Sequence, residues 1–305
     1  MEGGITITAL KRNKKQQKSY VGYLFLIPWL LGILIFRLIP MGASLYFSFT
    51  HFDMLTAPRF AGLENYVRLF ADPKFIVSVK VTFRFVFLSV PLQLIFALAI
   101  AVLLKKNRRG TRVYRAIYYL PSLLGGSIAI AILWRQVFNQ TGLVNKFLAM
   151  LGIEGINWIA SPQSALYTLI ILAIWQFGAS MVIFLAALKQ IPEDYYEAAS
   201  IDGISKWHQF TGITLPILTP IILFNLIMNM INAFQAFTSA YIISGGTGAP
   251  LNSTLFYSLY LFITAFGQFR MGYASAMAWI LLIIIAVVAA LIFATSKFWV
   301  FNDDE

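Results

Sequence analysis

Cysteine is missing from all 305 residues, histidine occurs only at His51 and His208, and charged residues make up just 11% of the chain. The first absence excludes disulfides and thiolate metal sites, and two histidines are too few for an imidazole-rich metal centre. Soluble domains carry about a quarter of their residues as charges. A chain that is 59% hydrophobic, with a mean hydropathy of +0.77, is therefore expected to be an integral membrane protein. There is no G-x-x-x-x-G-K-[ST] run to hold a nucleotide, and no convergent acid, base and nucleophile. Catalytic residues, resident cofactors and metals are accordingly not expected. Internal repeats of fixed period and low-complexity linkers are also lacking, so one membrane domain is the economical division.

What the chain has is apolar length. Runs of about 18 or more apolar residues, enough for a roughly 30 Å hydrocarbon core, fall near 20–39, 83–104, 117–138, 164–188, 214–243 and 273–299. The expected fold class is all-α: a six-span domain over 20–300, preceded by a basic segment 1–19 and followed by a tail 301–305. A further apolar stretch, LNSTLFYSLYLFITAF (251–266), is short for a seventh span; a helix at the outer surface is preferred, with a re-entrant segment left open. Pro28, Pro40, Pro91, Pro121, Pro216 and Pro220 punctuate the spans, as a bundle tolerates when neighbouring helices satisfy the freed carbonyls.

The 23 basic residues outnumber 12 acidic ones, for a net charge of +11. On a soluble chain this would point to nucleic acid; here the placement reads as membrane topology. Fourteen fall on one side: Lys11, Arg12, Lys14, Lys15, Lys18, the six in KKNRRGTRVYR (105–115), Lys189, Lys206 and Lys297. Five fall on the other: Arg59, Arg68, Lys74, Lys146 and Arg270. The positive-inside rule puts the fourteen, and both termini, in the cytoplasm. Arg37, Lys80, Arg84 and Arg135 lie near span ends, where long side chains reach the interface. The basic 105–115 loop reads first as this topology signal, with an anionic-lipid patch as the other use of such a run. The first apolar stretch is too long for a signal-peptide core, so an uncleaved first span is expected.

Between the fourth and fifth spans the chain places EDYYEAASIDGISKWHQFTGITLP (193–216), which interrupts two membrane-length runs with polar residues. Pro192 followed by Glu193 and Asp194 is a helix start with negative charge where the dipole favours it. Gly203 after Asp202 marks a turn, and ISKWHQF reads as a second short helix. Two short helices at an angle make a stiff projection suited to a groove on a cytoplasmic partner.

At these residues the chain resembles the membrane subunits of binding-protein-dependent ABC importers, whose cytoplasmic loop has the form E-A-A-x-x-x-G-x9-I-x-L-P. Glu197, Ala198, Ala199, Gly203, Ile213, Leu215 and Pro216 occupy every defined position at the right spacing. The resemblance implies a coupling loop, 189–216, that docks into a separate ATP-hydrolysing subunit. Glu197 would be the polar contact, Ala198 and Ala199 the small surface for close approach, and Gly203, after Asp202, the bend. ATP and magnesium would sit on that partner. YYLPSLLGGSIAIAILWRQVFNQTGLVNKFL and SGGTGAPLNSTLFYSLYLFITAFGQFRMGYASAMAWI are similar to tracts of the sugar-importing branch, and nearest to the first of its two dissimilar permease subunits; the large outer insertion of the maltose-specific member is absent. The implied partners are a second permease, two cytoplasmic ATPase subunits, an extracytoplasmic sugar-binding protein and membrane lipid, with no nucleic acid. The rival class, an autonomous secondary transporter, would normally carry intramembrane ionisable residues, which the fourth, fifth and sixth spans lack.

For a substrate pathway, Asn225, Asn229, Asn232 and Gln235 fall within about 120° on the fifth span at helical periodicity. Uncharged amides suit sugar hydroxyls, and they equally suit helix-to-helix hydrogen bonds. Phe234, Trp175 and Trp279 offer rings for stacking, and Trp175 with Gln176 sits mid-span; Gln93 and Arg135 are weaker candidates.

Overall fold

A backbone in lipid has to satisfy its own polar groups, which restricts spanning segments of this kind to helices. The computed structural model describes residues 23–106 and 109–301; the basic segment 1–19 and residues 302–305 of the tail lie outside the described residues. Among the described residues, five helices are long and apolar enough to cross a membrane, six when one bent pair counts as a single span.

Helix α1 (Tyr23–Ser48) runs past the expected residue 39. At Leu34–Leu38 the ladder shifts to a π turn, with the Ile39 amide on the Leu34 carbonyl, and the helix continues through Pro40. A short antiparallel ribbon follows, β1 (Thr50–His51) with β2 (Arg59–Phe60), in the register Thr50 to Phe60 and His51 to Arg59. Helix α2 (Glu64–Ala71) is tied back by the Asn65 amide, which donates to the Ser48 and Thr50 carbonyls at 3.0 and 2.9 Å.

Helix α3 (Pro73–Leu104) starts well before the expected residue 83. Asp72 caps it by accepting the Lys74 amide at 2.9 Å. Lys80 and Arg84, expected near a span end, both lie within the helix, and the Arg84 guanidinium meets the Tyr167 hydroxyl at 2.5 Å.

The third span departs most from expectation. It is two helices, α4 (Thr111–Leu124) and α5 (Ile128–Val137), bent by 102° at Gly125, Gly126 and Ser127. Ser127 caps α5 by accepting the Ile130 amide at 3.3 Å. A side chain at Gly125 would strike the Gln176 side chain at 2.1 Å, so the break is packed against a neighbour. Helix α6 (Leu143–Met150) lies in the next loop, clasped by Asn145: its amide donates to the Gln140 and Ile156 carbonyls and its oxygen accepts the Trp158 indole at 2.7 Å.

The fourth span, α7 (Ala165–Trp175) and α8 (Gly178–Gln190), loosens at Gln176 and Phe177. The loop helices α9 (Asp194–Ile201) and α10 (Lys206–Gln209) lead through a π turn, Phe210–Thr214, into α11 (Leu215–Phe234), and the chain breaks again before α12 (Thr238–Ile243). Helix α14 (Met271–Ser296) is the last span.

The 251–266 stretch, expected as a helix at the outer surface or a re-entrant segment, is part of the protein core. Helix α13 (Tyr257–Phe262), prolonged by a π turn to Gly267, is too short to cross and packs into the bundle. Leu255, Phe256, Tyr257 and Leu259 are buried, the Tyr257 amide donates to Thr82 Oγ1 at 2.8 Å, and the Tyr257 hydroxyl donates to the Met277 carbonyl at 2.7 Å. Its apolar face is wide because it is core. The core gathers around α3, which packs against α7, α8, α11 and α13.

Candidate functional site

The loop between the fourth and fifth spans is a rigid hook. Helix α9 ends in a Schellman turn: Gly203 has φ +74, its amide bonds the Ser200 carbonyl at 3.2 Å, and the Ile204 amide bonds the Ala199 carbonyl at 2.9 Å. Ser205 then caps α10, and the Gln209 amide reaches back to the Ile204 carbonyl at 3.0 Å and Ser200 Oγ at 3.1 Å, stapling the two helices. Tyr196 fastens the hook to the membrane domain: its hydroxyl meets Thr214 Oγ1 at 2.8 Å, while Lys105 Nζ, just past α3, lies 4.1 Å above its ring.

Glu197, Ala198, Asp202 and Gly203 are exposed on this hook, and Leu215 and Pro216 are half-buried where it enters α11. Ala199 corrects the expectation of a two-alanine surface. It is buried on the inner face of α9, where its carbonyl accepts the Ile204 amide of the closing turn. Two contributors escaped the sequence reading: Ile201 is 86% and Trp207 69% exposed, large apolar groups at the tip of a polar loop.

A polar cavity of about 310 Å³ lies among α3, α7, α11 and the breaks in the third, fourth and fifth spans. Gln176, Asn229 and Asn232 line it together with Gln93, Ser89 and Ser122. The Gln176 side-chain amide donates to the Gly125 carbonyl at 3.3 Å, and the Gln93 side-chain amide donates to the Gln176 backbone carbonyl at 3.2 Å, so the two amides bridge the helix breaks. Asn229 donates to Ser180 Oγ at 3.0 Å and to the Asn225 carbonyl at 2.8 Å, whereas Asn232 makes no hydrogen bond among the described residues. Ser89 Oγ is buried without a partner beside the same space. Irregular backbone at membrane depth is tolerated where it lines such a cavity.

The other pathway candidates fall elsewhere. Asn225 is 2% exposed and bonds its own helix at the Ile221 carbonyl. Gln235 is the exposed cap after α11, where the helical periodicity stops. Phe234 is core, edge-on to Phe83 at 5.2 Å, and Trp175 packs on Trp134 at 5.7 Å. The rings that do line the cavity are Phe85 and Phe256; each is one of several phenylalanines in its segment, and nothing in the local sequence singles it out.

Residues 82–297 match the family described as binding-protein-dependent transport system inner membrane component. The chain belongs to that family. It is 53% identical, over 97% of each chain, to the probable ABC transporter permease protein YesP of Bacillus subtilis (strain 168). It is 34% identical to the lactose transport system permease protein LacF of Rhizobium radiobacter, over 95% of this chain and 98% of the relative. It is 35% identical to the trehalose/maltose transport system permease protein MalF of Thermococcus litoralis, over 86% and 88%. A membrane chain in the crystal structure of a bacterial alginate ABC transporter, in complex with an alginate pentasaccharide-bound periplasmic protein, superposes with a TM-score of 0.81 at 24% identity, covering 93% of this chain and 96% of that one. That likeness establishes a shared fold. The protein is thus a multi-pass membrane component of a transport system.

The far side of this transport component carries a second polar cluster. Asp72 accepts the hydroxyls of Tyr260 and, at 2.9 Å, Tyr273, joining the start of the second span to α13 and α14. Burial alone would raise the Asp72 carboxyl; the two phenols and the Lys74 and Phe75 amides outweigh it and hold it below the usual carboxylate value. Gly272 lets β1 cross α14 closely, since a side chain there would strike the Thr50 carbonyl at 2.1 Å, and its amide donates to the Phe52 carbonyl at 2.9 Å.

Proposed function

We propose that this chain is the translocation subunit of an ATP-driven importer for sugars, oligosaccharides in particular, without catalytic residues of its own. The observation that carries the reading is the stapled hook of α9 and α10. It keeps every defined position of the importer loop motif and presents Glu197, Ala198, Ile201 and Trp207 to solvent on a rigid turn. In this reading the hook enters a cleft of an ATPase subunit, and Tyr196, held between Lys105 and Thr214, passes the ATPase's movement to the second and fifth spans. ATP and magnesium belong to that partner.

Permeases named for lactose, for trehalose and maltose, and for starch degradation products all resemble the chain over most of its length. This supports a saccharide substrate, as do the uncharged amides and hydroxyls of the cavity, which can pair with sugar hydroxyls without desolvating a charge. The assembly we infer has a second, dissimilar permease, two ATPase subunits and an extracytoplasmic sugar-binding protein, in a cytoplasmic membrane with both termini inside. The test is co-purification with transport: the hook should retain an ATPase subunit, and Glu197→Lys should release it while membrane insertion stays normal. Retention of the ATPase and uptake at the wild-type rate in Glu197→Lys membranes would remove the coupling assignment.

A further inference from the structure

We infer that the protein binds an anionic phospholipid at the cytoplasmic edge of the third and fourth spans. Two hollows adjoin there. One, of about 700 Å³, is lined by Arg109, Arg112, Arg115 and Lys189 and by no acidic residue. The other, of about 620 Å³, runs between α4 and α8 and is lined by Tyr119, Val182 and Leu185, with Arg115 and Lys189 shared by both. The helices touch at Gly178, where a side chain would strike the Tyr118 carbonyl at 2.4 Å, and leave the groove between them on the way to Lys189. The one ion pair among the described residues is His51 with Glu64, so Arg109, Arg112 and Lys189 hold no carboxylate; Arg115 donates to the Leu104 carbonyl at 3.0 Å.

A topology signal needs only basic residues in a loop. It does not require them to converge from two spans on a cavity, nor that cavity to open into an apolar groove. That pairing has the shape of a phospholipid: a cationic hollow at headgroup depth and a chain-width groove beside it on the hydrocarbon side. Basic pockets between spans on the cytoplasmic side are suited to anionic headgroups, and Arg and Lys stems reach such a level from helix ends. A soluble phosphate would use the hollow and leave the groove empty, so we commit to the lipid. The inference rests on the cytoplasmic orientation proposed above, but its test reads the site directly and does not depend on sugar uptake or ATPase coupling.

The experiment takes the assembled transporter in nanodiscs of mixed phosphatidylglycerol and phosphatidylcholine, and measures retained lipid by mass spectrometry after extraction into detergent. Phosphatidylglycerol should be enriched over its bulk share. The enrichment should fall about fivefold for each of Arg112→Gln and Lys189→Gln, the factor matching about 1 kcal/mol per basic residue at an anionic surface. Val182→Trp, which fills the groove and leaves the charges, should lose it as well. A photoactivatable phosphatidylglycerol should crosslink wild-type protein within 111–119 or 182–189, a readout that needs no variant to fold. No enrichment in the wild type, or enrichment unchanged in all three variants, overturns the proposal. Displacement by millimolar inorganic phosphate together with indifference to Val182→Trp overturns it in favour of a free-anion pocket. A photoreactive residue placed at Val182 that crosslinks another protein chain instead of lipid overturns it in favour of a subunit interface.

Discussion

At the scale of single residues, the amides of α11 have different surroundings that one helical stripe does not reveal. Asn232 lines the cavity with its hydrogen-bonding capacity unspent, so Asn232→Leu should change the profile of sugars taken up and leave thermal stability where it was. Asn229 both lines the cavity and bonds α8 through Ser180; Asn229→Leu should therefore also lower stability, by about 0.6–2 kcal/mol, the range for an interhelical hydrogen bond in a membrane. Asn225→Leu is the control, and a shifted uptake profile in that variant, set beside an unshifted one in Asn232→Leu, would sink the assignment. Asp72 gives a pH prediction. Its folded pKa lies below the unfolded value of 3.8, so its stabilisation is complete above 3.8 and is lost as pH falls through the folded value. Melting midpoints of wild type and Asp72→Asn should differ at neutral pH and converge below pH 3.8; a constant gap would show that the carboxylate charge is irrelevant.

At the scale of elements, the hook depends on a backbone conformation and not on a tight fit. A side chain at Gly203 would meet nothing within 4 Å, so bulk itself costs nothing; the penalty is the positive φ. Gly203→Asn should transport nearly as well as wild type, since asparagine tolerates the left-handed region, while Gly203→Val should lose coupling, a β-branched residue there costing more than the about 1–2 kcal/mol of an ordinary one. Uptake that tracks residue volume and ignores branching would refute this account. The broken third span behaves oppositely. At Gly125 even a methyl strikes Gln176, so Gly125→Ala should displace the amide bridge and alter the cavity.

At the scale of the molecule, the spans form an open assembly. No residue in the apolar stretch of α1 is buried, and lipid or other subunits have to cover it, since an apolar helix has no other stable surroundings. The orientation is tested by thiol labelling: Ser205→Cys should react with an impermeant reagent only from the cytoplasmic side, and Thr247→Cys only from outside. Reaction of Ser205→Cys from outside in intact cells would overturn both the orientation and the docking of the hook.

Hydropathy alone located the five long apolar helices, because the length of apolar text needed to cross a bilayer is a one-dimensional property; the loop motif fixed Glu197, Gly203 and Pro216 as candidates by spacing. What decided the rest was packing, which links residues far apart in the chain. Whether 251–266 lies on the surface or in the core depends on Thr82 and Met277 receiving Tyr257. The break at Gly125 is packed against Gln176, and Asn229 differs from Asn232 in bonding a neighbouring helix through Ser180. The burial of Ala199 follows from the turn that Gly203 closes. Periodicity can say which residues share a helix face, and only the neighbouring helices say what that face meets.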